Sequence, residues 1–203
     1  IGLLITRSVT RPLENLTNTL DQVRASGDFS LRALVSGDDE LARSSRALND
    51  LLLDNQNAIG EVNRVMGAVA QGNFDERVRI DLKGDLHTLK QASNSSANSV
   101  EETMSALSDV MKAMSQGDFS QRMSGKVKGE FKNTVDNAMA TMEQAIGEIS
   151  RVMEQMANND LSDRVSLTLS GDLNSLKLAI NQSIELLAQT MSQVAGNATQ
   201  VAS

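Results

Sequence analysis

Few side chains in this 203-residue chain have the types and spacing that covalent or metal chemistry requires. There is no cysteine and a single histidine, His87, which excludes thiolate zinc sites, cysteine nucleophiles and sites with several histidines. The phosphate-binding pattern Gly-x-x-x-x-Gly-Lys-Ser/Thr does not occur, and the carboxylates show no pairing for acid–base work. We therefore predict that the chain is not an enzyme, has no catalytic residue, no metal and no cofactor, and carries His87 at its surface.

The charged side chains with a regular spacing are four arginines, each at the end of a short motif. They are Arg32, Arg77, Arg122 and Arg164, at successive steps of 45, 45 and 42 residues. The motif begins in the first three copies with Gly27, Gly72 and Gly117. Its apolar position holds Phe29, Phe74, Phe119 and Leu161. We expect each arginine to hold a loop in place by bonding to the following acid or to backbone carbonyls, rather than to bind a ligand.

An acidic signature follows each arginine at the same steps. Its acids are Glu40, Asp85, Glu130 and Asp172. Negative charge is favourable in the first turn of a helix, so each acid predicts a helix start. The motif glycines predict the ends of the preceding helices. The sequence is thus four copies of one pattern, in which a first helix, a connector and a second helix follow one another.

Each predicted first helix carries a narrow apolar stripe with heptad spacing, as in a coiled-coil seam. Its leading residues in the four copies are Leu13, Leu16 and Leu20; Ile59, Val62 and Met66; Met104, Leu107 and Met111; and Ile146, Ile149 and Met153. Pro12 stands one residue before the first stripe, where proline is typical of a helix start. The spacing therefore predicts that these helices pack side by side.

The composition fits such thin helical packing. Aromatic residues make up 2% of the chain, with four Phe and no Trp or Tyr beside ten Met. Aliphatic side chains and methionine must therefore fill the core. The net charge of −7 argues against a nucleic-acid partner, because such partners require a basic face.

The second helix of one copy is expected to run without a break into the first helix of the next. Residues 85–116 contain neither glycine nor proline. An uninterrupted helix of that length would extend about 48 Å. At the joins, two successive apolar steps of four residues form a stutter, which changes the phase of the helix.

The connector length predicts the relative direction of the two helices. From Gly27 to Asp39 it has about a dozen residues, more than an antiparallel pair needs and enough to return along the first helix. We therefore predict parallel helices. The alternating apolar residues of copies two and four are also compatible with a β-strand, but a lone strand has no partner, which favours an extended strap. Two thin helices cannot bury a seam alone, so we expect a parallel homodimer with a four-helix core.

The repeated pattern resembles the HAMP domain, the dimeric signal relay found next to membrane spans in bacterial sensors. In copy one, residues 8–13 resemble the segment that follows a transmembrane helix. Asp39, Glu40 and the later Asn49 resemble the family's Asp-Glu-x-Gly signature and its downstream asparagine, with Ala42 in place of the glycine. Copies two to four resemble the divergent, concatenated type. The resemblance implies an all-α, elongated parallel coiled coil of four stacked HAMP units, each forming a parallel four-helix bundle as a homodimer.

On this resemblance we place HAMP units at residues 6–55, 56–100, 101–142 and 143–188. Residues 189–203 are small and polar, and they resemble the start of the cytoplasmic signalling coiled coil of methyl-accepting chemotaxis receptors. Residues 1–5 are apolar but too few to cross a bilayer, which takes about 20 residues. Two interpretations stay open for them: the end of a transmembrane helix with Arg7 and Arg11 on its cytoplasmic flank, or an apolar helix start.

The resemblance implies a relay that passes a conformational signal from a transmembrane sensor to a cytoplasmic output domain. The tail favours a bacterial chemoreceptor, in which this chain would be a cytoplasmic portion of an inner-membrane protein. The implied partners are a second copy of the chain, the membrane through an upstream helix, and a downstream output domain that couples to a histidine kinase and an adaptor. Two alternatives remain: the HAMP array of a sensor histidine kinase or cyclase, and a static coiled-coil spacer.

Overall fold

The computed structural model describes residues 9–201, except for the side chains of residues 198, 199 and 201. Over that range the chain is all-α, with five helices and no strand. The helices are α1 (Arg11–Ser26), α2 (Glu40–Ala70), α3 (Gly84–Ser115), α4 (Glu130–Ala157) and α5 (Gly171–Val201). The apolar residues 1–5, and Arg7 with them, lie outside the described residues.

The four connectors between these helices, at residues 27–39, 71–83, 116–129 and 158–170, are extended and contain no strand. This agrees with the strap and not with the β-strand alternative. A connector as long as these leaves room for a return along the helix that it follows. We number them connectors one to four in chain order.

The helix ends lie where the glycine motifs predict them. Gly27 caps α1 in the left-handed conformation, with φ +67°, and its N–H bonds to the carbonyl of Val23. Gly72 and Gly117 adopt the same region after the next two first helices, with φ +82° and +78°. In copy four the position holds Asn159, at φ +61°. Asparagine is the side chain that tolerates this region best after glycine, so the fourth helix ends without a glycine.

The helix starts follow the acidic signatures, because acids occupy the first turns of α2 to α5. The carboxylate of Asp39 accepts a 2.9 Å hydrogen bond from the backbone N–H of Ala42 and so caps α2. Ala42 itself is buried at 2% exposure, where a small side chain fits. Alanine in place of the family glycine therefore leaves this corner intact. At the start of α1, Pro12 lies in the first turn.

Long helices run through the predicted joins between copies. α3 has 32 residues and covers 84–115, as the missing glycines and prolines predict, and α2 has 31. A first compact part of the chain ends at Glu102 and a second begins at Thr103. The finer division into units at 55/56 and 142/143 falls inside α2 and α4, and it stays a prediction.

The hydrogen bonds of connector four give its direction relative to the helix before it. Arg151 of α4 bonds to Asp163, whereas the earlier Glu148 accepts from the backbone N–H of the later Ser166. The contacts therefore follow one another along the connector in the reverse of their order along the helix. The connector runs antiparallel to α4.

The same reversal holds between connector four and the helix after it. Lys177 of α5 donates to the carbonyl of Leu167, whereas the later Asn181 bonds to the earlier Val165. Since both α4 and the start of α5 run opposite to the connector, these two helices run in the same direction. The geometry of this copy agrees with the parallel pairing that the connector length predicts.

The fully buried positions of the first helices lie one residue before an exposed position of the stripe. Val65, Val110 and Val152 are at most 1% exposed. Their successors Met66, Met111 and Met153 are 37%, 41% and 40% exposed. Sequence reasoning treated the stripe as the core and did not single out these valines. Within one chain, the valines face the connector and second helix, and part of the stripe remains uncovered.

Candidate functional site: the connectors and the exposed apolar stripe

Each connector inserts one apolar residue, directly after its arginine, between the helices. These residues are Ala33, Val78, Met123 and Val165, all at most 4% exposed. Val78, Met123 and Val165 each belong to a buried cluster that includes the valine of the first helix. A buried backbone amide requires hydrogen-bond partners, and the second helix supplies them.

In three copies an asparagine side chain satisfies both backbone groups of the inserted residue. We call this arrangement the amide clamp. The Asn49 Oδ1 atom accepts from the N–H of Ala33 at 2.8 Å, and its Nδ2 donates to the Ala33 carbonyl at 2.9 Å. The same two bonds join Asn94 to Val78 and Asn181 to Val165.

Copy three replaces the amide clamp by an ion pair. Asp136 accepts from the N–H of Met123 at 2.7 Å, and Lys132 donates to the Met123 carbonyl at 2.7 Å. Lys132 also pairs with Asp136, one turn later on α4. Burial by itself raises the pKa of Asp136, but the hydrogen bonds from Lys132 and from the Met123 amide outweigh it and lower the pKa. The two charged side chains together do what one asparagine does elsewhere.

The four motif arginines hold the connectors as expected from the sequence, through backbone carbonyls. Each donates to the carbonyl three residues before it and to the carbonyl directly before it. The free end of each guanidinium reaches the second helix. Its acceptors there are Gln56, Glu101, Glu143 and Glu185 in chain order. The arginines thus fold the connector on itself and tie it to the second helix.

The apolar residue of each motif is partly shielded from solvent. Phe29, Phe74, Phe119 and Leu161 are all half-buried. Phe119 packs on the cluster around Val110, and Leu161 on the cluster around Val152. In copies three and four, the carbonyl three residues before the arginine therefore belongs to a residue held by apolar contact.

Copies two and four contain further charged contacts that sequence reasoning did not single out. Arg64 pairs with Glu76, and the equivalent Arg151 pairs with Asp163. Both pairs tie the first helix to the connector. The arginine hydrogen bonds lower the pKa of Glu76 and of Asp163. An alignment of copies two and four at a step of 87 residues would have revealed both pairs.

Lysines on the second helix add to these contacts. Lys90 donates to the Ile80 carbonyl and Lys177 to the Leu167 carbonyl, both at 2.7 Å. On the first helix of copy four, Glu148 accepts from Ser166 and from the Leu167 backbone. These backbone and hydroxyl donors lower the pKa of Glu148. Each of these bonds ties a connector backbone to a helix.

A short turn follows the end of the first helix. Asp118 accepts from the hydroxyl and the backbone N–H of Ser120, and Asp160 accepts in the same way from Ser162. These bonds lower the pKa of both aspartates, the hydroxyl bond having the larger effect. In copy two an asparagine occupies the position of the aspartate, and Asn73 accepts from the Asp75 N–H.

The apolar stripe is the second part of the candidate site. Its first and eighth positions are exposed in all four copies, between 36% and 48%. They are Leu13 and Leu20, Ile59 and Met66, Met104 and Met111, and Ile146 and Met153. The intervening Leu16, Val62, Leu107 and Ile149 are half-buried. A single chain therefore presents apolar side chains at heptad spacing that its own fold does not cover.

His87 is exposed. No group of three or more His, Cys, Asp or Glu in residues 9–201 could hold a metal ion. No helix within the described range is both long and apolar enough to cross a membrane.

Comparison with known proteins gives one match. A family model of the HAMP domain matches residues 4–53, which include α1, connector one and the first part of α2. No curated protein and no solved structure matches the chain. Proteins with this domain use it for signal relay between a sensor and an output domain, generally as dimers. Residues 4–53 are therefore a HAMP domain, which implies a signal-relay role in a sensor protein.

Proposed function

We propose that the chain is an array of four HAMP units that relays a conformational signal as a parallel homodimer. The observation that carries this proposal is the recurrence of one connector geometry. The arginine bonds of copy one, which lies inside the matched domain, are found again in copies two, three and four. Copies of one geometry at regular steps support one role repeated four times.

The exposed stripe supports the homodimer. The exposed positions recur at the same places of the stripe in every copy, so each copy requires the same kind of apolar partner surface. A second copy of the chain in parallel orientation satisfies that requirement. Each pair of helices would then become a four-helix bundle with a Leu, Ile, Val and Met core.

The long helices support a relay. In the proposed mechanism, a piston, tilt or rotation that enters at residues 7–13 biases the packing of the first unit between two states. Continuous helices such as α2 and α3 carry the altered phase to the next unit. Two packings that differ by a few kcal/mol suffice for such a switch.

Within this proposal the array belongs to a membrane chemoreceptor and works on the cytoplasmic side of the inner membrane. The support for this receptor class is the small, polar tail at 189–203. A sensor kinase or cyclase would use the same array. A long Glu/Gln-rich heptad hairpin in the same protein would favour a chemoreceptor, and a histidine-containing dimerisation helix would favour a kinase.

Disulfide crosslinking tests the dimer. The natural chain has no cysteine, so single variants Met66→Cys, Met111→Cys and Met153→Cys report without background. Each is expected to crosslink to its symmetry mate, because the proposed parallel pairing would bring equivalent stripe residues within the range of about 4 Å between Cβ atoms that a disulfide needs. The matched controls Val65→Cys, Val110→Cys and Val152→Cys lie one residue earlier, are buried within one chain and should not crosslink. Equal crosslinking of both sets, or of neither, would contradict the proposal.

A further inference from the structure

The four connectors are not held equally, and the differences follow a pattern. Connector one buries the small Ala33, while its next residues Leu34 and Val35 are 72% and 43% exposed. Connector two buries Val78 and Leu82, and connector three buries a similar pair, Met123 and Val127. Connector four buries Val165 and leaves Leu167 and Leu169 half-buried. Connector one therefore has the least apolar surface removed from water, and apolar burial is a main source of attachment.

The hydrogen bonds of connector one also involve neutral groups where the other connectors use charges. Its arginine, Arg32, is exposed and reaches the amide of Gln56. The other three arginines are half-buried and reach Glu101, Glu143 and Glu185. Hydrogen bonds between two charged groups are stronger than those to a neutral amide.

The same contrast between neutral and charged side chains appears at two other positions that face the connector. The helix before connector one offers the amide of Asn15 to the N–H of Leu34, whereas copy four offers the carboxylate of Glu148. Ser45 stands one turn before the clamp residue in copy one, at the position that Lys90 and Lys177 occupy in copies two and four. In copies two and four the lysine amine donates a hydrogen bond to a carbonyl of the connector backbone.

Two charge interactions of connector one do not alter this ranking. The pair between Arg46 and Asp38 is 3.4 Å long, and the Asp38 side chain is 97% exposed, so solvent screens it. The pKa of Asp28 is lowered mainly by hydrogen bonds from Ser30 and less by the charge of Arg32, and all three residues belong to the same connector. Neither interaction fixes the buried Ala33 between the helices.

We infer that the connectors form a graded series of latches, in which connector one opens first and connectors two to four stay closed longer. The order is a property of the chain itself. Its meaning for signalling rests on the proposed function, because connector one is the one nearest the side from which the signal would arrive. The unit at the input would then be the most easily switched.

Amide hydrogen exchange on the full chain tests the order at four equivalent atoms. The backbone N–H groups of Ala33, Val78, Met123 and Val165 each bond to the clamp side chain of the second helix. Exchange at Ala33 is expected to be about tenfold faster than at Val78 and Val165. Equal protection at the four amides, or slowest exchange at Ala33, would overturn the inference.

Salt and two matched variants separate the latch from simple fraying of the chain end. Raising NaCl should speed exchange at Val78, Met123 and Val165 by about threefold and leave Ala33 unchanged, since salt screens exposed ion pairs. Gln56→Glu gives connector one the missing acid and should slow Ala33 by about threefold, whereas Glu101→Gln should speed Val78 by the same factor. If neither variant changes the exchange rate at the inserted residue of its own connector, the latches do not depend on these contacts and the inference fails.

The outcome is independent of the dimer. Sedimentation of the same samples reports the oligomeric state, and a monomer with graded exchange would remove the proposed function while keeping the latches. A dimer with uniform exchange would do the reverse.

Discussion

The side chains that hold the connectors in place bond to backbone groups. Asn181 illustrates this, because one amide satisfies both the N–H and the carbonyl of the buried Val165. Loss of such a side chain leaves two buried polar groups without a partner. The cost of that loss exceeds the worth of the two hydrogen bonds in water.

We therefore expect Asn181→Ala to destabilise the chain by about 1–3 kcal/mol. Urea unfolding followed by circular dichroism measures this as a lower midpoint. The control is Asn57→Ala in α2, where the asparagine is exposed and the midpoint should change little. A midpoint for Asn181→Ala equal to that of the control would show that water replaces the clamp.

The turn aspartates make the connectors sensitive to acid. The pKa of Asp118 and of Asp160 lies below the ordinary value of 3.8 in the folded chain. A carboxyl with a lowered folded pKa contributes stability that is complete above its unfolded pKa and is lost as the pH falls through the folded value. The thermal midpoint should therefore fall as the pH drops below 3.8.

The double variant Asp118→Asn/Asp160→Asn tests the origin of this fall. Asparagine still accepts from Ser120 and Ser162 but does not titrate, so the midpoint of the variant should depend less on pH in the same window. An unchanged slope would assign the acid sensitivity to other carboxylates, such as Glu148, whose pKa is also lowered.

At the scale of elements, each first helix ends by turning into the left-handed region. Gly72 has φ +82°, a conformation in which a Cβ atom is strained whatever space surrounds it. We expect Gly72→Ala to destabilise copy two by about 1–2 kcal/mol. Gly60→Ala, inside α2 with open space around its Cβ position, should instead stabilise by up to about 1 kcal/mol. Thermal unfolding of the two variants checks the opposite signs.

Asn159 provides the complementary test at the same place in copy four. Its φ of +61° makes glycine the better residue and alanine the worse one. Asn159→Gly should leave the midpoint equal or higher, and Asn159→Ala should lower it. Equal midpoints for the two variants would mean that the fourth helix ends without backbone strain.

Much of the element structure was predictable from short sequence signals. Pro12, the motif glycines and the acids of the second signature place the helix bounds, and the lack of breakers in 85–116 predicts α3. Which apolar residues of the first helix are buried within one chain, and which stay exposed, was not predictable from the stripe. Val65 and Met66 are both apolar neighbours, and only the path of connector two decides which of them the chain buries.

Of the candidate site, the arginines were predictable from the sequence and the clamp residue of copy three was not. The arginines repeat at fixed steps, so their role in holding the connector followed from the spacing. The clamp residue of copy three did not, because Asp136 stands 14 residues after its arginine while Asn94 stands 17 after its own. The shift of three residues hides the equivalence from any alignment at a constant step.

At the scale of the whole molecule, the exposed stripe predicts that stability depends on protein concentration. The double variant Met66→Gln/Met111→Gln should weaken self-association, because it places polar side chains in the proposed seam. Leu178→Gln is the control, since Leu178 is 58% exposed but is not one of the stripe residues of the four first helices. Sedimentation equilibrium should show a larger dissociation constant for the double variant and not for the control. The same constant for both would exclude the stripe as the dimer contact.

The ion-pair clamp of copy three has a consequence for how this sequence tolerates change. In copies one, two and four, one asparagine codon encodes both halves of the clamp, so a single substitution destroys it. In copy three the two halves are encoded separately by Asp136 and Lys132, and the loss of either leaves the other as an uncompensated charge. Mutations at these two positions should therefore be strongly epistatic, and the third copy should tolerate paired replacements more readily than single ones.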